Sequence, residues 1–362
     1  MKILLLPFAP ITNAGARYRI YKLAPYLEKA SHSCVILPPV SDLIFKVFYR
    51  PLFVKPRSLV EDIIGTQLRK LYYAIVMFNR KRQIRRWAKW ADLAIVQREL
   101  YRPGNLGLEE LLRSQVRSFI WDFDDALYAT DVFGKNGHVN KVIAMSDGVI
   151  AGNDALADYV HKTRKQVMVM PTCIDQERYL SKDYSLKSEK TIIGWAGNPF
   201  NLRHFEIILP VLQRICAKYP QVVVRLNSIG HKLVLTGVRV EYLPWTLEKE
   251  LDDLKNFDIG IMPLIDNEYT RGKCGFKLIQ YMAVGLPTVS SPVGINARII
   301  DNGENGFLAR TNDEWVDKLS RLIDNAELRQ SMGLKARQKA LREYSLEMNA
   351  SRLVEFIEGF TK

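Results

Sequence analysis

The stretch Arg271–Gly294, RGKCGFKLIQYMAVGLPTVSSPVG, reads as a helix, a stop and a strand in succession. Counted from Gly272, residues Phe276, Ile279, Met282 and Ala283 fall on one side of a helix, and Lys273, Lys277, Gln280 and Val284 follow the spacing of the other. Gly285 stands where a left-handed C-terminal cap belongs, and Pro287 where a helix cannot continue. The residues LPTVSS then turn apolar and β-branched. A helix feeding a strand, behind the apolar run DIGIMPL, is the repeating unit of a parallel sheet. Its helix N-terminus lies at the carboxyl end of the preceding strand, where such sheets bind ligands. Lys273 and Lys277 on successive turns beside a glycine make an anion site suited to a diphosphate; the same spacing also describes ordinary solvent-facing lysines.

Working outward, the chain alternates short apolar runs with amphipathic segments, the pattern of an α/β protein with helices on both faces of parallel sheets. The strands predicted in the first half are KILLLPF, SCVILPP, DLAIVQR, RSFIWDF, DGVIAGN and QVMVMPT. Those in the second are TIIGWAGN, VVVRLNS, VRVEYLP, DIGIMPL, LPTVSSP and GFLAR. The polar segment SKDYSLKSEK separates them, which predicts domains at 1–180 and 181–345. Both halves open alike, with a strand, a glycine-containing loop and a helix. The loops PFAPITNAGARYR, with Gly15, and GWAGNP, with Gly197 and Asn198, can hold a phosphate on unpartnered helix-start amides. Tight packing of strand against helix accounts for a lone glycine equally well.

The 362 residues are ample for two cores, and four scattered cysteines suggest neither a disulfide framework nor a zinc site. A reducing cytosol fits. MKILLLPFAP has no signal-peptide cleavage site and reads as a first strand, and no apolar run is long enough for a membrane-spanning helix. The net charge of +13 is uneven: Lys46 to Lys89 holds twelve Lys or Arg against two acids, Glu61 and Asp62. Nine aromatic residues from Phe45 to Trp90 interleave with them. This suits an anionic membrane surface, contacted through Lys46 to Trp90, with Ile84, Trp87, Ala88 and Ala91 as an apolar helix face; a solvated basic face is the plain alternative. No RNA- or DNA-binding module is present, so nucleic acid is not expected as a partner. Asp122, Asp124 and Asp125 in WDFDDALY close a strand, where they orient hydroxyls, hold Arg17 or Arg19, cap the loop, or attract a divalent metal.

The run KLIQYMAVGLPTV resembles the block K-x-x-E-Y-M-A-x-G-x-P-V-V of retaining glycosyltransferases of the GT-B fold, family four, also called glycosyl transferases group 1. GARYRIYKLAPYL, WDFDDALY, VIAGNDALADYV, GWAGNP and DNGENGFLA follow in the order such enzymes show. The resemblance implies two Rossmann-like doubly wound parallel-sheet domains facing a cleft, with a nucleotide-sugar on the second and the acceptor on the first. The last helix, within 346–362, is expected to pack back on the first domain. Carried over, it implies donor binding by Gly15, Gly197, Asn198, Lys277 and Gln280, acceptor-side contacts from Arg17 and Arg19, and a catalytic role for Lys277. Lys273 and Tyr281, in the same segment, are expected beside the donor, and Asp122 and Asp125, from their place after a strand, are expected as catalytic residues. Neither a metal nor a cofactor is implied, because the nucleotide-sugar is a substrate. The expected activity is sugar transfer to a glycan or lipid-linked acceptor in cell-surface polysaccharide synthesis, at the inner face of the cell membrane. Two family carboxylates are missing, replaced by Gly272 and Gln280. That keeps open a non-catalytic nucleotide-sugar binder, or a GT-B-fold nucleotide-sugar epimerase. No GxGxxG is present to support an oxidoreductase.

Overall fold

The computed structural model describes residues 1–49, 59–102, 104–130, 137–186, 188–228 and 235–360. All twelve apolar runs form strands. The first sheet holds β1 (Lys2–Leu6), β2 (Ser33–Ile36), β3 (Leu93–Gln97), β4 (Ser118–Phe123), β5 (Gly148–Ala151) and β6 (Gln166–Val169), in the order β2-β1-β3-β4-β5-β6. The second holds β7 (Thr191–Ala196), β8 (Val222–Ser228), β9 (Val240–Pro244), β10 (Ile259–Met262), β11 (Thr288–Ser290) and β12 (Phe307–Leu308), in the order β12-β11-β10-β7-β8-β9. The ladders within both sheets are parallel. Parallel strands are covered on both faces, so their residues are apolar without alternation. In β1, Ile3, Leu4, Leu5 and Leu6 are all buried.

Each sheet reverses its winding once, between β1 and β3 in the first and between β7 and β10 in the second. The loops leaving such adjacent strands diverge to opposite faces and leave a crevice at their carboxyl ends. That topology selects the two places where ligand-binding residues belong.

The chain divides into two units, residues 1–173 with 272–274 and 346–362, and residues 174–271 with 275–345. The division falls at Cys173–Ile174 rather than at Ser181, because the segment after it is already tied to the second unit. Ile174 N donates to Tyr344 O at 2.8 Å, and Lys182 N donates to Val284 O at 2.9 Å. In the first unit, Leu346, Leu353 and Ile357 of the helix Leu346–Glu358 share a core with Ile3, Leu5 and Ile120. Tyr26 Oη donates to Glu347 Oε1 at 2.6 Å on the same helix. In the second, the helices Leu209–Lys218 and Asn312–Asp324 pack Leu212, Ile215, Trp315 and Leu319 against Ile193, Trp195 and Val224.

Among the described residues, no helix is long and apolar enough to cross a membrane. Of the basic aromatic segment, residues 50–58 lie outside the described residues. From Leu59 to Trp87 it is one 29-residue helix.

Candidate functional site

In the second unit the chain leaves β10 and begins the helix Phe276–Ala283 at Gly275. Gly275 is left-handed at φ +66°, and a Cβ there would lie 2.3 Å from Ile299 Cδ1, so only glycine fits. The helix therefore starts later than the sequence spacing predicts, and Lys273 lies outside it. Lys273 and Lys277 do not share a helix face. The reaching side is also narrower than expected. Gln280 and Val284 are buried with Leu278, Ile279 and Met282, and Lys277 is left half-buried at the first turn.

Lys277 lies against the loop leaving β7, the other side of the winding reversal. Its ammonium is 5.4 Å from the Trp195 ring centroid. A Cβ on Gly197 would come 2.4 Å from Lys277 Cε and 3.0 Å from both its Nζ and Trp195 Cη2. Glycine at 197 thus leaves room for the lysine stem to cross, and a methyl there would push that flexible stem aside. The loop itself is fastened: Gly197 N donates to Asn227 O at 3.0 Å, Ser228 Oγ donates to Gly197 O at 2.8 Å, and Asn198 is exposed. Tyr281 is fully buried and accepts a hydrogen bond from Ala196 N at 2.9 Å, with burial pushing its hydroxyl pKa up. Tyr281 holds the loop from beneath, which corrects its expected place among ligand-touching groups. Gln280 Nε2 donates to Tyr179 Oη at 2.9 Å, and its amide oxygen can only accept.

Gly272 and Lys273 group with the first unit. A Cβ on Gly272 would sit 2.4 Å from Ala126 Cβ, so no side chain fits at the position where the family pattern has a glutamate. Asn153 caps the helix Asp154–His161 through Leu156 N at 3.0 Å. Its Nδ2 donates to Gly272 O at 3.0 Å and Lys273 O at 3.1 Å. Lys273 Nζ then stands 3.8 Å from Asp125 Oδ1, while Arg98 Nη1 is 3.7 Å from Asp125 Oδ2. Arg98 follows β3 with φ +57°, a conformation costly for a non-glycine residue, and lays its guanidinium 4.7 Å from the centroid of the Phe8 ring. Phe8 belongs to the loop after β1, so this cluster occupies the winding reversal of the first sheet.

The arginines expected at the acceptor side are interior residues. Arg19 is buried, and its Nε donates to Asp122 Oδ1 at 3.1 Å and Oδ2 at 2.8 Å. Its Nη1 donates to Met170 O at 3.0 Å and Thr172 Oγ1 at 3.3 Å. Burial works against the Arg19 charge, but Asp122 more than reverses that and holds it protonated. Asp122 is likewise committed to Arg19, which corrects its expected catalytic role. Arg17 is buried too, with Nη1 donating to Ile11 O at 3.2 Å and Thr12 O at 3.4 Å. Both arginines brace loops from inside, because an interior guanidinium needs several acceptors to offset its desolvation. Gly15 follows the cap Asn13, whose Oδ1 accepts from Ala16 N at 3.3 Å. A Cβ on Gly15 would meet nothing nearer than 3.4 Å, so packing alone does not demand glycine there.

Asp124 stands apart within WDFDDALY. It is buried, and among the described residues its Oδ1 has no hydrogen-bond partner. Burial first and then Asp125 push its carboxyl up to about 6, against the pull of Arg19 and Arg98. Arg98, Asn153 and Trp195 complete these two clusters without being singled out individually in the sequence, where Asp124 is already named beside Asp122 and Asp125. Asp124 and Trp195 lie within motifs already noted, whereas nothing in the sequence marks the positive φ of Arg98.

Residues 190–325 match the family described as "Glycosyl transferases group 1". N-acetyl-alpha-D-glucosaminyl L-malate synthase of Bacillus anthracis is 24% identical over 247 residues, covering 61% of this chain and 63% of that protein. The match therefore spans less than two thirds of that relative. Among solved structures, a glycosyltransferase from Rickettsia africae ESF-5 superposes with a TM-score of 0.70 at 12% identity, covering 100% of this chain and 98% of that one. HepE of Anabaena, solved in complex with UDP and glucose, superposes with a TM-score of 0.69 at 14% identity, covering 99% and 100%. At these identities the structural likeness speaks for the fold: two Rossmann-like parallel-sheet domains of the GT-B class.

Proposed function

We propose that this chain is a retaining glycosyltransferase of family four, which moves a sugar from a nucleotide-sugar donor to a glycan or lipid-linked acceptor in cell-surface polysaccharide synthesis. One observation carries the reading: Lys277 crosses Gly197 at the winding reversal of the second sheet, at the start of a helix, inside the segment that matches the group 1 family. HepE, which has the same fold, was solved with UDP, and such a diphosphate suits this corner.

The chemistry follows from where charge develops. As the bond between the anomeric carbon and the diphosphate oxygen breaks, the sugar becomes cationic and the diphosphate gains negative charge. In this reading Lys277 and the helix dipole stabilise the departing anion, an electrostatic role that does not call on a metal. The acceptor hydroxyl attacks the face the diphosphate leaves, a new carbon–oxygen bond forms, and the hydroxyl proton passes to a diphosphate oxygen. No protein base is required. Gln280 replaces a carboxylate that accepts ribose hydroxyls, and its amide oxygen serves the same purpose. Asp125, between Arg98 and Lys273, is assigned to hydroxyl recognition on the acceptor domain.

The absence of any side chain at Gly272 favours one competing reading, a protein that binds donor sugars without turning them over. Incubating the chain with UDP, GDP, ADP and dTDP sugars separates the two. Slow release of one nucleoside diphosphate, falling about 10²- to 10³-fold in Lys277→Ala, supports transfer chemistry. Binding without turnover, or conversion to an isomeric sugar, contradicts it.

A further inference from the structure

The helix Leu59–Trp87 carries two opposed stripes. Tyr72, Val76, Arg80 and Ile84, spaced by four, are buried, and Ala88 continues the row just beyond the helix end. Arg80 Nη1 donates to Leu37 O at 2.6 Å and its Nη2 donates to Pro7 O, so even this arginine is an interior brace. The apolar face expected to meet lipid is therefore turned inward. Ile84, Ala88 and Ala91 are buried, and Trp87 packs edge-to-face on Trp90 at 5.6 Å.

The opposite stripe has a different composition. Ile64, Leu71 and Phe78 are spaced by seven and expose 53%, 50% and 67% of their surface. Successive sevenths drift by only about 20° around a helix, so the three form one row, about 21 Å long, that continues into Arg85. Lys81, Arg82, Arg86 and Lys89 are exposed around that continuation. No acid occurs between Asp62 and Asp92 to balance them. Scattered exposed apolar residues need no explanation, but an aligned row ending in a cluster of uncompensated cations does.

We infer that this stripe docks on an anionic bilayer surface, with Ile64, Leu71 and Phe78 entering the boundary between headgroups and acyl chains and the basic half lying over the headgroups. An interfacial helix combines these two features, apolar burial supplemented by attraction to anionic lipid. Of the row, Phe78 alone presents a ring on which a base could stack; Ile64 and Leu71 are aliphatic, so a stacking platform of successive rings is not built there. Tyr72, Tyr73, Trp87 and Trp90, which could stack, are engaged with one another in edge-to-face pairs. The inference goes beyond the transferase reading and requires neither donor nor acceptor.

The test is flotation of the full chain with vesicles of equal parts phosphatidylglycerol and phosphatidylcholine, and with phosphatidylcholine alone. Binding to the anionic vesicles only is expected, with affinity lowered about tenfold or more in Leu71→Glu/Phe78→Glu and in Arg82→Glu/Arg85→Glu. Because those side chains are exposed, melting curves should be unchanged. A conservative variant, Phe78→Trp, gives a second readout: acyl-chain bromination should quench its added fluorescence on anionic vesicles. Unaltered affinity in both charge variants, absence of that quenching, or binding of single-stranded RNA in place of vesicles would each overturn the inference.

Discussion

The two sheets reverse their winding in the same way yet equip the resulting corners differently. In the first unit the corner is rich in charge that is largely internal: Arg19 closes on Asp122, Asp125 lies between Arg98 and Lys273, and Asp124 is buried beside them. In the second a lysine crosses a glycine and an indole at a helix start, with tyrosine and glutamine buried behind it. Shared topology thus decides where a site is built, and the side chains decide whether its charge holds the fold or faces a ligand. Arg19 and Lys277 look alike in the sequence, as cations near a loop and a helix start. Burial separates them.

Substitutions can break this contrast. The largest effect is expected from Asp122→Ala, which leaves Arg19 buried without its carboxylate and should lower stability by about 3–5 kcal/mol in denaturant unfolding. A cost below about 1 kcal/mol would mean that the pair does not hold the first unit together.

Asp124 sharpens the contrast through pH. Its carboxyl is raised from an ordinary 3.8 to about 6 by burial and then by Asp125, so between those values the folded state binds a proton that the unfolded chain does not. This group's contribution to stability therefore falls as pH rises through that window. Asp124→Asn, which cannot ionise, should gain on the parent by on the order of 2 kcal/mol at pH 8 and by little below pH 4. A stability difference that does not vary with pH would refute the assignment.

The smallest effect is expected from Gly197→Ala. The added methyl displaces the flexible Lys277 stem rather than the buried Trp195, so the fold should survive while nucleoside diphosphate affinity falls about fivefold to tenfold. Unchanged affinity would show that the position of Lys277 over Gly197 is irrelevant to the ligand.

Much of the architecture was legible in the sequence, because parallel strands buried on both faces read as continuous apolar runs, as β3, β5 and β10 do here. The Gly285 cap was legible for a similar reason: a glycine two residues before a proline at the end of a helical pattern leaves few alternatives, and its φ is +80°. The start of the preceding helix was not. Gly272 and Gly275 look equivalent as starting points, both are packed closely by a neighbour, and it is the left-handed backbone of Gly275 that makes it the helix cap. The interior arginines were hidden by the same limit, since a local pattern does not reveal a carboxylate 103 residues away. The long basic helix was assigned the wrong apolar face, because Ile84 and Ala88 are as apolar facing the core as they would be facing lipid.

In the proposed function, the second unit holds a nucleoside diphosphate through Lys277. Calorimetric titration of UDP, GDP, ADP and dTDP into the parent chain, Lys277→Ala and Asp124→Asn tests this most directly. One diphosphate should bind the parent and Asp124→Asn equally, and bind Lys277→Ala at least about tenfold more weakly, a loss of about 1.4 kcal/mol. Equal affinity for the parent and Lys277→Ala, or a loss confined to Asp124→Asn, would contradict it.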